Sequence, residues 1–320
     1  MKRTESAARI ATVTMNAAID KTYYLPKLEI GRAMRVTSAL VDAGGKGINV
    51  ARVLRQLGLD VTATGFVGGY NGAYIERELQ STGIEPDFVQ VAGESRLALN
   101  FIDESTGQST EFIEPGPAIG ESAVMELRDK VRAAARRSAL VCFSGSMPAG
   151  VPADLYRELI GIARHEGATV LLDASGEPLR HGVRAAPDVI KPNEEEAAQL
   201  LGVRTGREDE MRRAMARLAK EYGIPCVCVS LGARGSLALA GGRFYRLRLP
   251  EQKVVNAVGS GDAYLAGLAA GMARGWPLRD SLRLAAAAGT ANALHRRAGY
   301  VEPDVVARLF ELVELSEEEA

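Results

Sequence analysis

Six short apolar runs, each closed by glycine, proline or aspartate and followed by residues with helical spacing, set the strongest constraint on how this chain folds. They are IATVTM at 10–15, VTATGFVG at 61–68, ALVCFSGS at 139–146, ATVLLD at 168–173, DVIKP at 188–192 and PCVCVSLG at 225–232. Unbroken β-type runs suit strands buried on both faces, and their alternation with helices calls for a mostly parallel sheet covered on both sides. Residues 52–57, 123–135, 154–165 and 208–222 carry apolar side chains near i, i+3, i+4 and i+7, as sheet-covering helices do. The fold class expected is α/β.

Two regions break the rhythm. Residues 20–42 and 95–114 hold β-type stretches around turns such as Asp103-Glu104-Ser105-Thr106-Gly107, with no helix between. They are expected to meet as a small antiparallel lid over the carboxyl end of the main sheet. No internal repeat or linker divides the chain, so one domain over 1–320 is expected, with the acidic tail LSEEEA frayed.

Composition excludes several classes of function. A net charge of −1 with 25% charged residues gives no reason to expect nucleic acid. The N-terminal MKRTESAARIATVTM lacks the apolar core of a signal peptide, and no later segment approaches the roughly 20 apolar residues that span a bilayer. A cytoplasmic protein with no membrane partner is expected. Cys142, Cys226 and Cys228 lie in apolar runs without a C-x-x-C motif or a nearby histidine at ligand spacing, and read as buried, inert thiols. His165, His181 and His295 have no H-E-x-x-H or nucleophile context, which argues against a histidine-dependent hydrolase.

In an open α/β sheet, ligands bind outside the carboxyl ends of the strands, so the residues just after each apolar run carry the information. They are Asn16 and Asp20, Gly44 through Asn49, Ser144-Gly145, Asp173, the stretch Lys191-Pro192-Asn193-Glu194-Glu195-Glu196, Ser230-Leu231-Gly232, and VVNAVGSGDAYLAG at 254–267. Glycines and small polar residues dominate, as where backbone packs against phosphate. At 259–262, Gly-Ser-Gly bares the backbone just where a helix presents its positive end, and Asp262 follows. Two readings are open: an ordinary aspartate N-cap after a glycine turn, or an anion cradle with a base beside it, the pair that phosphoryl transfer to a hydroxyl needs. No G-x-x-x-x-G-K-[ST] loop and no protein-kinase motif is present.

The stretches AGGKGINVARVLRQLG at 43–58 and VVNAVGSGDAYLAG at 254–267, with SGSMPAGVP, VIKPNEEEAAQLLG and VSLGARGS in order between them, resemble the ribokinase-like carbohydrate kinases of the phosphofructokinase-B family, in the branch of 1-phosphofructokinases and tagatose-6-phosphate kinases. The resemblance implies a three-layer αβα sandwich with the small β lid, and ATP with Mg2+ as phosphate donor. It implies that Asp262 is the general base and that the N–H groups of Gly259, Ser260 and Gly261 form an anion hole. Lys191, Asn193 and Glu196 match an element that places the nucleotide, Glu196 toward the metal through water. Ser230, Gly232 and Gly235 match the nucleotide turn, and Asn292 falls near the adenine pocket. Glu194 and Glu195 read better as acids at a helix start. On the acceptor side, Asp20, Gly44, Gly45 and Asn49 match the residues that hold sugar hydroxyls.

Lys46, a cation in the glycine loop, is expected to pair with a phosphate already on the sugar, with Arg96 as a second ligand and Arg35 as a third. Ala17 stands where many relatives have proline and Ala257 where several have proline or threonine, neither change removing a functional group, and Glu111 falls near a position where one phosphofructokinase type carries arginine. The expected reaction is phosphorylation of a ketohexose monophosphate, tagatose 6-phosphate or fructose 1-phosphate ahead of fructose 6-phosphate, by a homodimer joined through the lid. The alternatives are a kinase for an unphosphorylated sugar or nucleoside, and a sugar-phosphate sensor without catalysis.

Overall fold

The computed structural model describes residues 9–320; residues 1–8, which begin the segment read for a leader, lie outside the described residues. The chain opens with β1 (Ile10–Thr14), buried throughout, then leaves the main sheet for β2 (Ala18–Leu25) and β3 (Ser38–Gly44). Helix α1 (Lys46–Gln56) returns it to β4 (Val61–Gly68), and α2 (Gly69–Ser81) leads to the short edge strands β5 (Glu85–Pro86) and β6 (Val89–Val91). A second excursion makes β7 (Arg96–Asp103) and β8 (Ser109–Ile113). The rhythm then becomes regular: α3 (Glu121–Arg137), β9 (Leu140–Ser144), α4 (Leu155–His165), β10 (Thr169–Asp173), α5 (Gly176–Gly182), β11 (Val189–Ile190), α6 (Glu194–Leu201), α7 (Glu208–Tyr222) and β12 (Cys226–Ser230). The hairpin β13 (Ser236–Ala240) and β14 (Arg243–Arg248) precedes α8 (Ser260–Ala273), α9 (Leu278–Ala293), α10 (Pro303–Leu312) and β15 (Glu314–Glu319).

The main sheet runs β15-β14-β13-β12-β11-β10-β9-β1-β4-β5, with β6 also on β4. It is parallel from β12 to the β5 edge and antiparallel from β12 to β15. The chain first builds outward from β1 to β4 and later restarts on the other side of β1 with β9, so the carboxyl ends of β1 and β9 flank a topological switch point. Crevices form at such points because the connections leave in opposite directions. Thr14, Ser144 and Asp173 end β1, β9 and β10 in register there.

Alternate residues of each strand feed two cores, which makes the architecture three-layered. Ile10, Cys142, Leu171 and Cys228 meet α1, α2, α8, α9 and α10 on one face; Ala11, Phe143, Leu172 and Val229 meet α3 to α7 on the other. Helix α8 is buried from Asp262 to Gly271, wedged against α9, whose Leu284 and Ala285 backbone leaves room only for hydrogen at Gly267. An all-round apolar helix is what such a position demands.

The two excursions pair into one four-stranded sheet, β3-β2-β7-β8. Its outer pairs are antiparallel, while β2 and β7 run parallel. Both follow strands that are themselves parallel, β1 and β6, and both leave from the same end of the main sheet. At the turn, Asp103 accepts from the Ser105 and Thr106 amides at 2.9 and 3.2 Å, which holds the hairpin closed.

Two elements differ from the expectation. Helix α1 starts at Lys46, inside the glycine loop, because Gly45 adopts a left-handed φ of 101° and a side chain at Gly47 would lie 2.3 Å from Thr14 Oγ1. Glycine thus lets the first turn sit directly on β1. The acidic tail does not fray: β15 pairs with β14, Leu315 packs on the core, and Glu317 and Glu318 meet Arg279 and Arg212, each at 2.9 Å. Those arginines offset the charge that favoured fraying. Among the described residues, no helix is long and apolar enough to cross a membrane.

Candidate active site

The loop entering α8 sets aside one reading of Gly-Ser-Gly-Asp, the ordinary aspartate N-cap. Gly259, the residue before the helix, has φ 80°, and a side chain there would lie 2.5 Å from the Gly299 nitrogen. Asp262 sits in the first turn, 5% exposed, and does not cap the helix; its Oδ2 accepts from Asn49 Nδ2 at 2.8 Å. Ser260 N–H closes a turn on the Ala257 carbonyl at 3.2 Å, so of the three expected anion-hole amides it is already engaged. Gly259 and Gly261 amides have no backbone partner among the described residues and stay open at the positive end of the helix.

Burial pushes the Asp262 carboxyl up to about 7. Lys46, Asn49 and Lys191 pull the other way, favouring the ion, and Asp173 adds to the rise. A group balanced in this way takes a proton readily near neutral pH, as a general base requires.

A row of alternating charges runs beside it. Asp173, 1% exposed at the end of β10, lies 3.3 Å from Lys46 Nζ and 3.1 Å from Lys191 Nζ. Burial opposes its ionisation, but the two ammonium groups outweigh that and hold the carboxyl below its ordinary value. Asp173 in turn raises the pKa of Lys46, which stays charged. Lys46 is also 3.6 Å from Glu196 Oε1. Lys191 underlies the cradle: a side chain at Gly261 would come within 3.3 Å of its ammonium. Lys46, expected to meet a phosphate on the sugar, turns here toward Asp173 and Glu196.

Asn193 and Glu196 begin α6 as a reciprocal capping box: Asn193 Oδ1 accepts from Glu196 N at 2.8 Å, and Glu196 Oε2 accepts from Asn193 N at 2.9 Å. Only Glu196 Oε1 is left toward the crevice. An isolated bridge from Asn193 to Ser230 brings this turn beside Gly232 and Gly235. Gly235 is required where it is, since a side chain would lie 2.1 Å from the Leu247 carbonyl. Glu194 ties this region together through Arg234 and the Gly206 amide at 2.8 Å.

Asn292, expected near the adenine, is fully buried and its amide is spent inside the chain. Its Nδ2 donates to Val258 O at 2.8 Å and Ser260 Oγ at 3.1 Å, and its Oδ1 accepts from Tyr300 N at 3.1 Å. It fixes the cradle loop from below.

On the acceptor side, Asp20 of β2 lies so close to Gly44 that a side chain there would come within 2.1 Å of its carboxyl carbon. Burial pushes Asp20 up to about 6, against the pull of Arg52 and Arg96. Arg96 Nε donates to Asn16 O at 3.2 Å, holding its guanidinium at the base of the lid. Arg35 is exposed in the 26–37 connection between β2 and β3. Glu111 sits on β8 opposite Asn100 and adds negative charge near Asp20.

Sequence reasoning did not assign a role to Asp173, although an acid closing a buried apolar strand was a visible signal. Arg52, 5% exposed, was hidden within a helical pattern, and nothing in its spacing marked it.

Asp262 also makes stability depend on pH. Its folded value near 7 lies above the unfolded value of about 4, so its ionisation costs the fold increasingly as pH rises through that window. Asp262→Asn should therefore stabilise the protein at pH 8 by on the order of 1–3 kcal/mol and leave it unchanged at pH 4. Urea midpoints at the two pH values measure this; an equal difference at both would contradict it.

Comparisons agree with this geometry. Residues 13–304 match the pfkB family of carbohydrate kinases. The chain is 34% identical over 310 residues to tagatose-6-phosphate kinase of Staphylococcus epidermidis, covering 96% of this chain and 99% of that one. Its fold superposes on phosphofructokinase-2 from Escherichia coli in complex with potassium with a TM-score of 0.89 at 26% identity, covering 95% and 98% of the two chains. Arabidopsis thaliana ribokinase complexed with ribose and ATP shares the fold, with a TM-score of 0.77 at 23% identity over 95% and 99%. With a buried carboxylate and an open amide cradle at the switch point of the sheet, the chain belongs to the pfkB family of carbohydrate kinases.

Proposed function

We propose that the protein transfers the γ-phosphoryl group of ATP to a hydroxyl of a ketohexose monophosphate, giving a bisphosphate, with tagatose 6-phosphate or fructose 1-phosphate as acceptor. The observation that carries this reading is Asp262, buried beside the open amides of Gly259 and Gly261 and within the field of Lys46. The acceptor oxygen forms the new P–O bond while the bond from the γ-phosphorus to its bridging oxygen breaks. Asp262 takes the hydroxyl proton, and ADP leaves. The two amides and Lys46 hold the charge that moves, stabilisation that is strongest where water is excluded.

Lys191, Asn193, Ser230, Gly232 and Gly235 form the nucleotide side of this reading, with Asn292 supporting them through the cradle loop. Magnesium fits the donor set. Glu196 Oε2 is spent on the Asn193 amide while Oε1 faces the crevice, a single carboxylate oxygen of the kind that serves an ion held mainly by phosphates and water. When bound, it would neutralise phosphate charge.

Asp20, Gly44, Gly45 and Asn49 take the sugar hydroxyls. Lys46 lies in the row of charges beside Asp262 and serves the moving charge in this reading, while Arg96, held at the base of the lid, takes the phosphate already on the sugar. Glu111, which adds negative charge near Asp20, stands near the position where one phosphofructokinase type carries arginine, and on that ground fructose 6-phosphate ranks lower. The similarity to tagatose-6-phosphate kinase of Staphylococcus epidermidis supports the same acceptor class.

The lid gives a reading of assembly. Strand β8 is exposed along its length, and Val41, Phe112 and Ile113 are 39%, 58% and 60% exposed, which supports a homodimer formed by two copies of this sheet. A tetrameric form of E. coli phosphofructokinase-2 has been solved, so assembly occurs among similar proteins.

Asp262→Asn should leave nucleotide affinity within about threefold and lower turnover about 10²–10⁴-fold; near-normal turnover would remove the base assignment. Lys46→Met should lower kcat by about 10²–10³ with little change in acceptor KM, whereas Arg96→Ala should raise acceptor KM about 10–100-fold with kcat held. ADP release over fructose 1-phosphate, fructose 6-phosphate, tagatose 6-phosphate and free sugars reads both, and a preference for free sugar would overturn the acceptor class. Light scattering should show a dimer at micromolar concentration that Phe112→Glu converts to monomer; a monomeric parent would refute the lid interface.

A further inference from the structure

Arg52 is a buried cation that the reaction as derived does not use. It lies one turn after Asn49 on α1, 5% exposed, and both terminal nitrogens of its guanidinium are engaged. Nη1 donates to Asn49 Oδ1 at 3.1 Å and to the Ala298 carbonyl at 3.2 Å. Nη2 donates to the Ala43 carbonyl at the end of β3 and lies 3.7 Å from Glu78 Oε1.

A guanidinium has only donors, so the atom of the Asn49 amide that faces it must be the oxygen. The nitrogen is thereby turned to Asp262 Oδ2, 2.8 Å away. Gly299 closes the other side: a side chain there would come within 2.7 Å of Asn49 Cβ. The charged groups that bear on Asp262, namely Lys46, Lys191 and Asp173, are paired with one another and leave the amide alone. An ionised Asp262 accepts only and also favours the nitrogen, but a protonated Asp262 can donate to the amide oxygen, so it is Arg52 that holds one orientation in both states.

We propose that Arg52 is a positioning residue for the base, fixing the Asn49 amide so that it donates to Asp262 and leaves the other carboxylate oxygen for the acceptor hydroxyl. Through Ala43 it also ties that orientation to the lid strand whose next residue, Gly44, packs on Asp20. The proposal rests on Asp262 being the base.

The test is the pH profile of kcat at saturating substrates for Arg52→Gln, Arg52→Lys and Asn49→Asp. A donor to the carboxylate favours its ionised form, so losing or reversing it raises the pKa and moves the acid limb upward. Arg52→Gln should lower kcat at pH 7 about 10–100-fold, with its acid limb shifted up by about one unit and part of the loss recovered at pH 9. Arg52→Lys, which keeps a donor to the amide oxygen, should restore the limb most of the way. In an Asn49→Ala background, Arg52→Gln should cost less than about threefold more.

A loss of kcat with the acid limb unmoved, or an equal loss in the Asn49→Ala background, would overturn the proposal. Should Arg52→Gln not fold, Asn49→Asp decides: it retains Arg52 and puts an oxygen where the amide donor was, and an unmoved limb in that variant overturns the proposal too. The two readings fail separately. Retained turnover in Asp262→Asn removes the base itself, whereas lost turnover there with an unmoved limb in the Arg52 and Asn49 variants removes only the positioning role.

Discussion

Taking a carboxylate out of water raises its affinity for a proton, and the base role proposed for Asp262 depends on that one effect. Burial alone would leave it protonated; a nearby cation alone would leave it a weak base. Here desolvation raises it to about 7 while Lys46, Asn49 and Lys191 keep the ion accessible. Asp173 adds to the rise at Asp262, but it pairs with both lysines and is itself kept ionised by them. Buried charges of one sign would be prohibitive; the row of Lys46, Lys191, Asp173 and Glu196 is tolerable because each of these has a partner within ion-pair distance, and Asp262 beside it is met by the Asn49 amide.

The sheet topology supplies the place for this row. Because the chain restarts at β9 beside β1, the carboxyl ends of β1, β9 and β10 meet where connections diverge, and Asp173 arrives there by register. The two motif helices, α1 and α8, come in over the same strand ends, and glycine is what lets them come so close. Gly47 lets α1 rest on Thr14, Gly44 accommodates Asp20, Gly259 clears Gly299, and Gly261 clears Lys191. Any side chain at these places would displace either a backbone or a charged group of the site.

Much of this was legible in the residues themselves. The β-type runs and helical periods marked the α/β alternation, since strand and helix periods differ, and the two stretches without helices marked the small sheet. Small residues after the strands marked the crevice. What could not be read were the partners of side chains. Lys46 follows two glycines in a loop-like stretch, yet it starts a helix and reaches Asp173, 127 residues away in sequence. Asn292 was visible as a polar residue in an alanine-rich helix, but its use as a brace for Val258 and Ser260 depends on how α9 packs on α8. The acidic tail had the composition of a frayed end, and only the arginines of distant elements made it a strand.

By itself, then, the sequence determined the layers, the small sheet, and the two glycine-rich motifs with Asn49 and Asp262 in them, because these depend on local periodicity and on backbone freedom that neighbouring residues reveal. Tertiary structure decided which of those residues touch. It set Asn49 against Asp262 across 213 residues of chain, turned Lys46 to Asp173, and closed Arg52 over the Asn49 amide. The physical reason is that a hydrogen bond or an ion pair is fixed by the distance and direction between two groups in space, and both are set by strand order and helix packing, not by separation along the chain.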